Sequence, residues 1–263
     1  MKLYERDFAA GPITENERIA WEEEHAYEHS RIQNTAKIPR FVHQDKNIRE
    51  FLWHYRSLFP NNHLYFNKYA YLDLKKEAEE FRNVIYEKKE EQLIQRYIKE
   101  NKKWFIPGSI FLDYNFGHHD AYLFPEQPLG EKYKADYMLL GKNSDGYSII
   151  LVEFEKADVP FMITTSNTES QRVREGLTQI RDWKRWLDDN RTYFLNSIGL
   201  TSLGIEVPTY RIYYYLVVSN REHMGTRETN YRSQLMYEMP NLKIVTYDRL
   251  ADNVYNLSTR PNW

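Results

Sequence analysis

The residues that could carry chemistry are concentrated on one segment. In Tyr147–Lys156 the side chains of a strand would alternate. Tyr147, Ile149, Leu151, Glu153 and Glu155 share one face, and Ser148, Ile150, Val152, Phe154 and Lys156 share the other. Both faces are apolar through the middle, which predicts a central strand covered on both sides. Two carboxylates at the end of such a strand need partners, because burying an unpaired charge is costly. The preceding predicted strand, Tyr133–Leu140, carries Asp136. If the two pair through Asp145-Gly146, Asp136 lies near Glu153. Three carboxylates at one end of a sheet repel one another, and a hard divalent cation such as Mg²⁺ or Mn²⁺ offsets that repulsion. The same residues allow a second reading, in which Glu153 and Glu155 pair with Arg or Lys of flanking helices and only hold the layers together.

The elements around this segment follow from periodicity. Asp45–Phe59 reads as an amphipathic helix with Asp45 as its N-cap, stopped at Pro60. Leu74–Asn101 carries an apolar stripe and reads as one or two helices. Ala121–Phe124 is a further strand, with Pro125–Gly130 as a turn. Glu169–Asn190 returns to helical spacing at Val173, Leu177, Ile180, Trp183 or Lys184, and Leu187. Two more apolar runs, Arg211–Val218 and Leu242–Tyr247, precede a short C-terminal helix after Asp248. Arg221, Arg227 and Arg232 fall in a loop-like stretch between those runs. The expectation is an α/β fold, a mixed central sheet flanked by helices with a mostly helical N-terminal region.

Composition narrows the chemistry. The 263 residues include no cysteine, so thiol nucleophiles, disulfides and Cys-ligated metals are excluded. Ten glycines and ten prolines are too few for a low-complexity chain. The longest run free of Asp, Glu, Lys and Arg is Thr192–Ile205, too short to span a membrane. Met1–Asp7 holds no apolar stretch, and the expected compartment is the cytoplasm. Thirty-six basic and 38 acidic residues give a net charge of −2, with no overall pull toward nucleic acid. The distribution is uneven. The first 30 residues carry −5 (Lys2, Arg6 and Arg18 against eight carboxylates), leaving +3 for the rest. In Gln171–Arg191, six cations including Arg172, Arg174, Arg181 and Lys184 face four acids, with Trp183 and Trp186 among them. Basic residues interleaved with aromatics suit a phosphate backbone, although a solvated helix of mixed charge is the better explanation for most of them. His25 and His29, and His118-His119-Asp120, are weaker metal candidates.

Several short motifs, in order, resemble the Shedu anti-phage nuclease family. They are Glu91-Gln92-Leu93-Ile94-Gln95, Leu129-Gly130-Glu131-Lys132-Tyr133-Lys134-Ala135-Asp136-Tyr137, Ile150-Leu151-Val152-Glu153-Phe154-Glu155-Lys156, Gly176-Leu177-Thr178-Gln179-Ile180-Arg181-Asp182-Trp183 and Ile244-Val245-Thr246-Tyr247-Asp248-Arg249-Leu250. Ser219-Asn220-Arg221 is similar to the family's strand-end Gly-Arg. The resemblance covers about residues 78–257. It implies a PD-(D/E)XK nuclease with a restriction-endonuclease-like core over 78–263, an accessory or regulatory region over 1–77, a homo-oligomer, and DNA as substrate. It implies Mg²⁺ or Mn²⁺ bound by Asp136, Glu153 and Glu91, with Gln179 supporting the site. Arg172, Arg174, Arg181, Lys184 and Arg221 are the expected DNA contacts. One departure stands out: where the pattern has a catalytic Lys, this chain has Glu155. Lys156 points to the opposite face unless a bulge re-aims it. Otherwise Glu155 is an extra ligand or a base for water, or the fold binds nucleic acid without cutting.

Overall fold

Strand β3 (Gly146–Phe154) runs through the middle of the protein, and the computed structural model, which describes residues 2–33 and 39–257, is organised around it. Its neighbours are β1 (Asp120–Leu129), β2 (Tyr133–Asn143), β4 (Ile212–Val217) and β5 (Leu242–Val245), in the sheet order β1-β2-β3-β4-β5. The first two pairings are antiparallel and the last two parallel. The sheet is therefore mixed and flanked by helices, and it fits the expected core. Gly146, at φ +119°, closes the β2–β3 turn in a conformation that glycine adopts without strain.

The alternation of β3 divides the core into two layers. Ile150, Val152 and Phe154 pack with helices α3 (Leu74–Lys88), α4 (Glu91–Glu100), α5 (Phe105–Gly108) and α8 (Tyr247–Leu257). Ile149 and Leu151 pack on the other face with α6 (Gln171–Ser197) and with Leu235 of α7 (Thr226–Glu238). N-terminal to these lie α1 (Glu15–Gln33) and α2 (Lys46–Tyr55). Phe8, Ala20, Phe51 and Leu52 form a small cluster of their own there. The indole of Trp104 donates to the Leu3 carbonyl at 2.6 Å and ties this region to the sheet layer. Asp45 caps α2 as expected, accepting from the backbone of Asn47 and Ile48 at 2.7 and 3.2 Å.

Three sequence expectations change. The turn expected over Pro125–Gly130 is strand: β1 continues through Pro125 and Pro128, and the chain reverses at Gly130, φ +65°. As an edge strand, β1 tolerates residues that lack an N–H. The stretch holding Arg227 and Arg232 is not a loop but helix α7. Parallel β4 and β5 require a crossover, and α7 supplies it. It buries only Leu235, so no apolar stripe betrays it. Finally, α6 runs on past Asn190 to Ser197, held by buried Phe194 and Leu195.

Candidate metal centre

The carboxyl end of β3 is where the acids meet. The β2–β3 register pairs Tyr137 with Val152, so Asp136 and Glu153 stand one step beyond that pair, side by side. Asp136 is fixed by the backbone: the Phe154 N–H donates to its Oδ2 at 2.7 Å. Glu153 and Glu155 share the face toward α6 and are 7% and 6% exposed. Glu91 arrives from the other side. The turn between α3 and α4 places Lys89 at φ +56°, a strained left-handed conformation for a residue with a Cβ. Two contacts with the segment after β3 hold that turn, Ala157 N–H to the Lys89 carbonyl at 3.2 Å and Lys89 Nζ to Asp158 at 2.7 Å. Buried Ile94 and Ile98 then set the rotation of α4, and Glu91 opens it beside the strand end. Gln95, one turn on, donates to Glu91 Oε1 at 3.0 Å.

The four carboxyls perturb one another. Burial, followed by the nearby carboxyls of Asp136, Glu155 and Glu91, pushes Glu153 up to about 11. Burial and then Asp136 and Glu155 raise Glu91 to about 7. Burial raises Asp136 to about 6 against the pull of the Phe154 N–H. Burial also raises Glu155 to about 7, opposed chiefly by Arg172. Among the described residues Arg172 and Lys134 act as offsetting cations across this group. Glu153 Oε2 is buried with no hydrogen-bond partner among the described residues. The pairing of Glu153 with a basic helix residue, the alternative reading of the sequence, is not seen among the described ion pairs. Among the described residues no three His, Asp or Glu side chains converge into a metal-holding group in this conformation. The donor chemistry nevertheless fits a hard cation: hard oxygens, with a buried Oε2 that has no partner among the described residues.

Two surface recesses flank the acids. Glu91, Gln95, Lys134 and Asp136 line one of about 570 Å³ between α4 and β2. Lys134, Arg174, Glu175 and Gln179 line another of about 580 Å³ between β2 and α6. Gln179 thus stands beside the site, one turn from Glu175. Lys134, common to both recesses, and Gln95 were not singled out from sequence. The visible signals were Lys134 two residues before Asp136 and Gln95 at i+4 from Glu91. Lys156 lies on the face opposite Glu155 and pairs with Glu90 at 2.5 Å. No bulge turns it: the Glu155 N–H continues the β3–β4 ladder to the Val217 carbonyl at 2.8 Å.

The expected DNA contacts separate. Arg172 and Arg174 open α6 beside the acids, paired with Glu175 at 2.9 Å and Glu169 at 3.2 Å. Arg181 is exposed, and Lys184 pairs along the helix with Asp188 at 3.3 Å. Trp183 is fully buried in the core and offers no stacking surface. Trp186 packs on the β1–β2 turn, 2.8 Å from where a Cβ on Gly130 would stand. Arg221 lies off this group on the α8 side, paired with Asp252 at 2.7 Å.

Gly176 brings α6 onto the site. A Cβ there would stand 2.7 Å from Leu216 Cδ1 and 3.0 Å from Glu155 Cγ. Gly176→Ala is therefore expected to cost about 1–3 kcal/mol through overpacking. Thermal unfolding should show a fall in Tm of roughly 3–10 °C. A fall below about 1 °C would contradict this packing.

The family model described as Shedu protein SduA, C-terminal, matches residues 88–251, which contain all four carboxyls and α6. No curated protein matches the chain.

Proposed function

We propose, from the premise that the chain belongs to the Shedu family, that it is a metal-dependent DNA endonuclease. Membership suggests a role in anti-phage defence, and the nuclease reading rests chiefly on one observation. Four carboxyls interact electrostatically around the end of the central strand, and one of them, Glu153, is buried with an oxygen that has no partner among the described residues.

In this reading Asp136, Glu153 and Glu91 hold Mg²⁺ or Mn²⁺. A cation held there would supply the Lewis acidity that activates water and offsets charge developing on the phosphate oxygens. The protein's own groups do the rest. The Phe154 N–H and Gln95 fix the carboxyls of Asp136 and Glu91. Glu155, raised to about 7, is poised to accept a proton from water near neutral pH. Gln179 and Lys134 border the space where a phosphodiester would lie. Arg172, Arg174, Arg181 and Lys184 present positive charge along α6 to the strand. Residues 1–77 act as an accessory or regulatory region, and the working enzyme is a homo-oligomer. Among the described residues no helix is long and apolar enough to cross a membrane.

One observation favours a second reading. The position of the family lysine is Glu155, and Lys156 is engaged with Glu90. A protein that binds DNA without cutting it would fit that arrangement. Plasmid DNA incubated with the protein in Mn²⁺, Mg²⁺ or EDTA separates the two readings. The nuclease reading expects nicking in metal and none in EDTA. It also expects Lys156→Ala to keep nicking within about threefold, since Lys156 points away from the acids. DNA retention without nicking in any metal would overturn it in favour of the second reading.

A further inference from the structure

A second charge cluster, of opposite sign, lies at the β5 edge of the sheet. A recess of about 540 Å³ there is lined by Arg221, Arg232, Lys243 and Arg249 together with Asp113 and Asp252. It shares no lining residue with the two recesses beside the carboxyls. Both acids are already engaged. Asp113 accepts from Arg249 at 2.8 Å, from the Tyr215 hydroxyl at 2.6 Å and from Asn253 at 3.0 Å. Asp252 accepts from Arg82 and from Arg221, each at 2.7 Å. Among the described residues Arg232 and Lys243 form no ion pair with a carboxylate, although Asp113 acts on Lys243 at longer range. Arg232 Nε is buried with no hydrogen-bond partner among the described residues. Lys243 donates to the Asp113 backbone carbonyl and lies 4.5 Å over the Tyr114 ring. Half-buried cations gathered this closely repel one another, and Arg232 stands beside Arg249.

We propose that this recess binds a nucleoside phosphate. Four cations against two acids leave a formal surplus of +2, which matches the charge of a terminal phosphate near neutral pH, roughly −1.5 to −2. The planar guanidinium of Arg232 is suited to phosphate oxygens in bidentate contact. The rest of the wall combines Thr229 and Thr246 with an apolar part, Met224 and Met236 on the α7 side and Ile244 and Val245 on the sheet. Thioethers adapt to flat, polarizable surfaces such as a nucleobase. The volume falls within the range of small-ligand sites, about 300–1,000 Å³. The proposal goes beyond the nuclease reading and does not depend on it.

Calorimetric titration of the full chain in EDTA, which keeps metal out of the result, tests it with ATP, GTP, adenosine and a short DNA duplex. ATP or GTP should bind saturably with a Kd on the order of 1–100 μM, and adenosine should not. Arg232→Gln and Lys243→Gln should each weaken nucleotide binding about tenfold or more with Tm retained. Both side chains are half-buried, and the pair of variants guards against a folding defect in either. No saturable nucleotide binding by the wild type up to about 5 mM would overturn the proposal. Nucleotide binding indifferent to both substitutions would overturn it as well. Duplex binding sensitive to both substitutions, with no nucleotide binding, would assign the recess to a DNA backbone and overturn it too.

Discussion

Glu153→Gln should make the metal-free protein more stable while removing its metal-dependent activity. The two effects share one cause. Glu153 is buried, its Oε2 has no partner among the described residues, and Asp136, Glu155 and Glu91 crowd it with like charge. Its folded-state pKa is pushed up to about 11 from an ordinary 4.5. A carboxyl raised on folding supports the folded state fully below its unfolded value. That support is lost as pH climbs from there toward the folded value. At pH 8 the cost is on the order of 2 kcal/mol once shared with its neighbours and solvent. Glutamine keeps the shape and cannot ionise. The Tm of the variant should therefore exceed wild type by about 4–8 °C at pH 8 and differ little at pH 5. A lower Tm at pH 8 would mean that Glu153 has a stabilising partner and that the cluster is structural.

The second large effect is expected at Asp136. Its Oδ2 accepts the Phe154 N–H at the edge of β3. Asparagine can keep that bond through its side-chain oxygen, so Asp136→Asn removes charge while the strand end stays in place. If Asp136 holds the cation, nicking of plasmid in Mn²⁺ should fall by about 100-fold or more, near 2.7 kcal/mol of transition-state stabilisation. The stabilisation conferred by Mn²⁺ should fall with it. In the wild type that stabilisation is about 2.7 kcal/mol at 100 times Kd. Full nicking by Asp136→Asn, with wild-type folding, would exclude Asp136 as a ligand.

Much of this arrangement was legible in the sequence because burial on two faces leaves a clear trace. The run Ile149–Val152 flanked by alternating acids marked the central strand, and the Asp145-Gly146 turn fixed the register that sets Asp136 beside Glu153. Asp45 announced its helix because a side-chain cap works through local bonds alone. What stayed hidden depends on non-local packing. Helix α7 exists to connect two parallel strands and shows almost no apolar stripe. The prolines of β1 suggest a turn until the strand is known to lie at an edge. Trp183, which the sequence allows either on the apolar stripe or among the cations of α6, is core, since one helical face carries both Ile180 and Trp183 inward. The approach of Glu91 rests on a strained turn at Lys89 and two contacts after β3, none of which follows from local spacing. That Arg232 Nε has no hydrogen-bond partner among the described residues is invisible without knowing where Asp113 and Asp252 spend their bonds.

The central claim is that the carboxyls at the end of β3 are gathered for a divalent cation. Calorimetric titration of Mn²⁺ into the wild type and Glu153→Gln at pH 7.5 tests it most directly. The account predicts saturable binding to the wild type with release of protons, because Glu153 and Glu91 are raised to or above neutrality and must deprotonate to ligate. It predicts that Glu153→Gln, folded and at least as stable, loses that binding. No saturable Mn²⁺ binding by the wild type, or binding of equal strength in the variant, would contradict it.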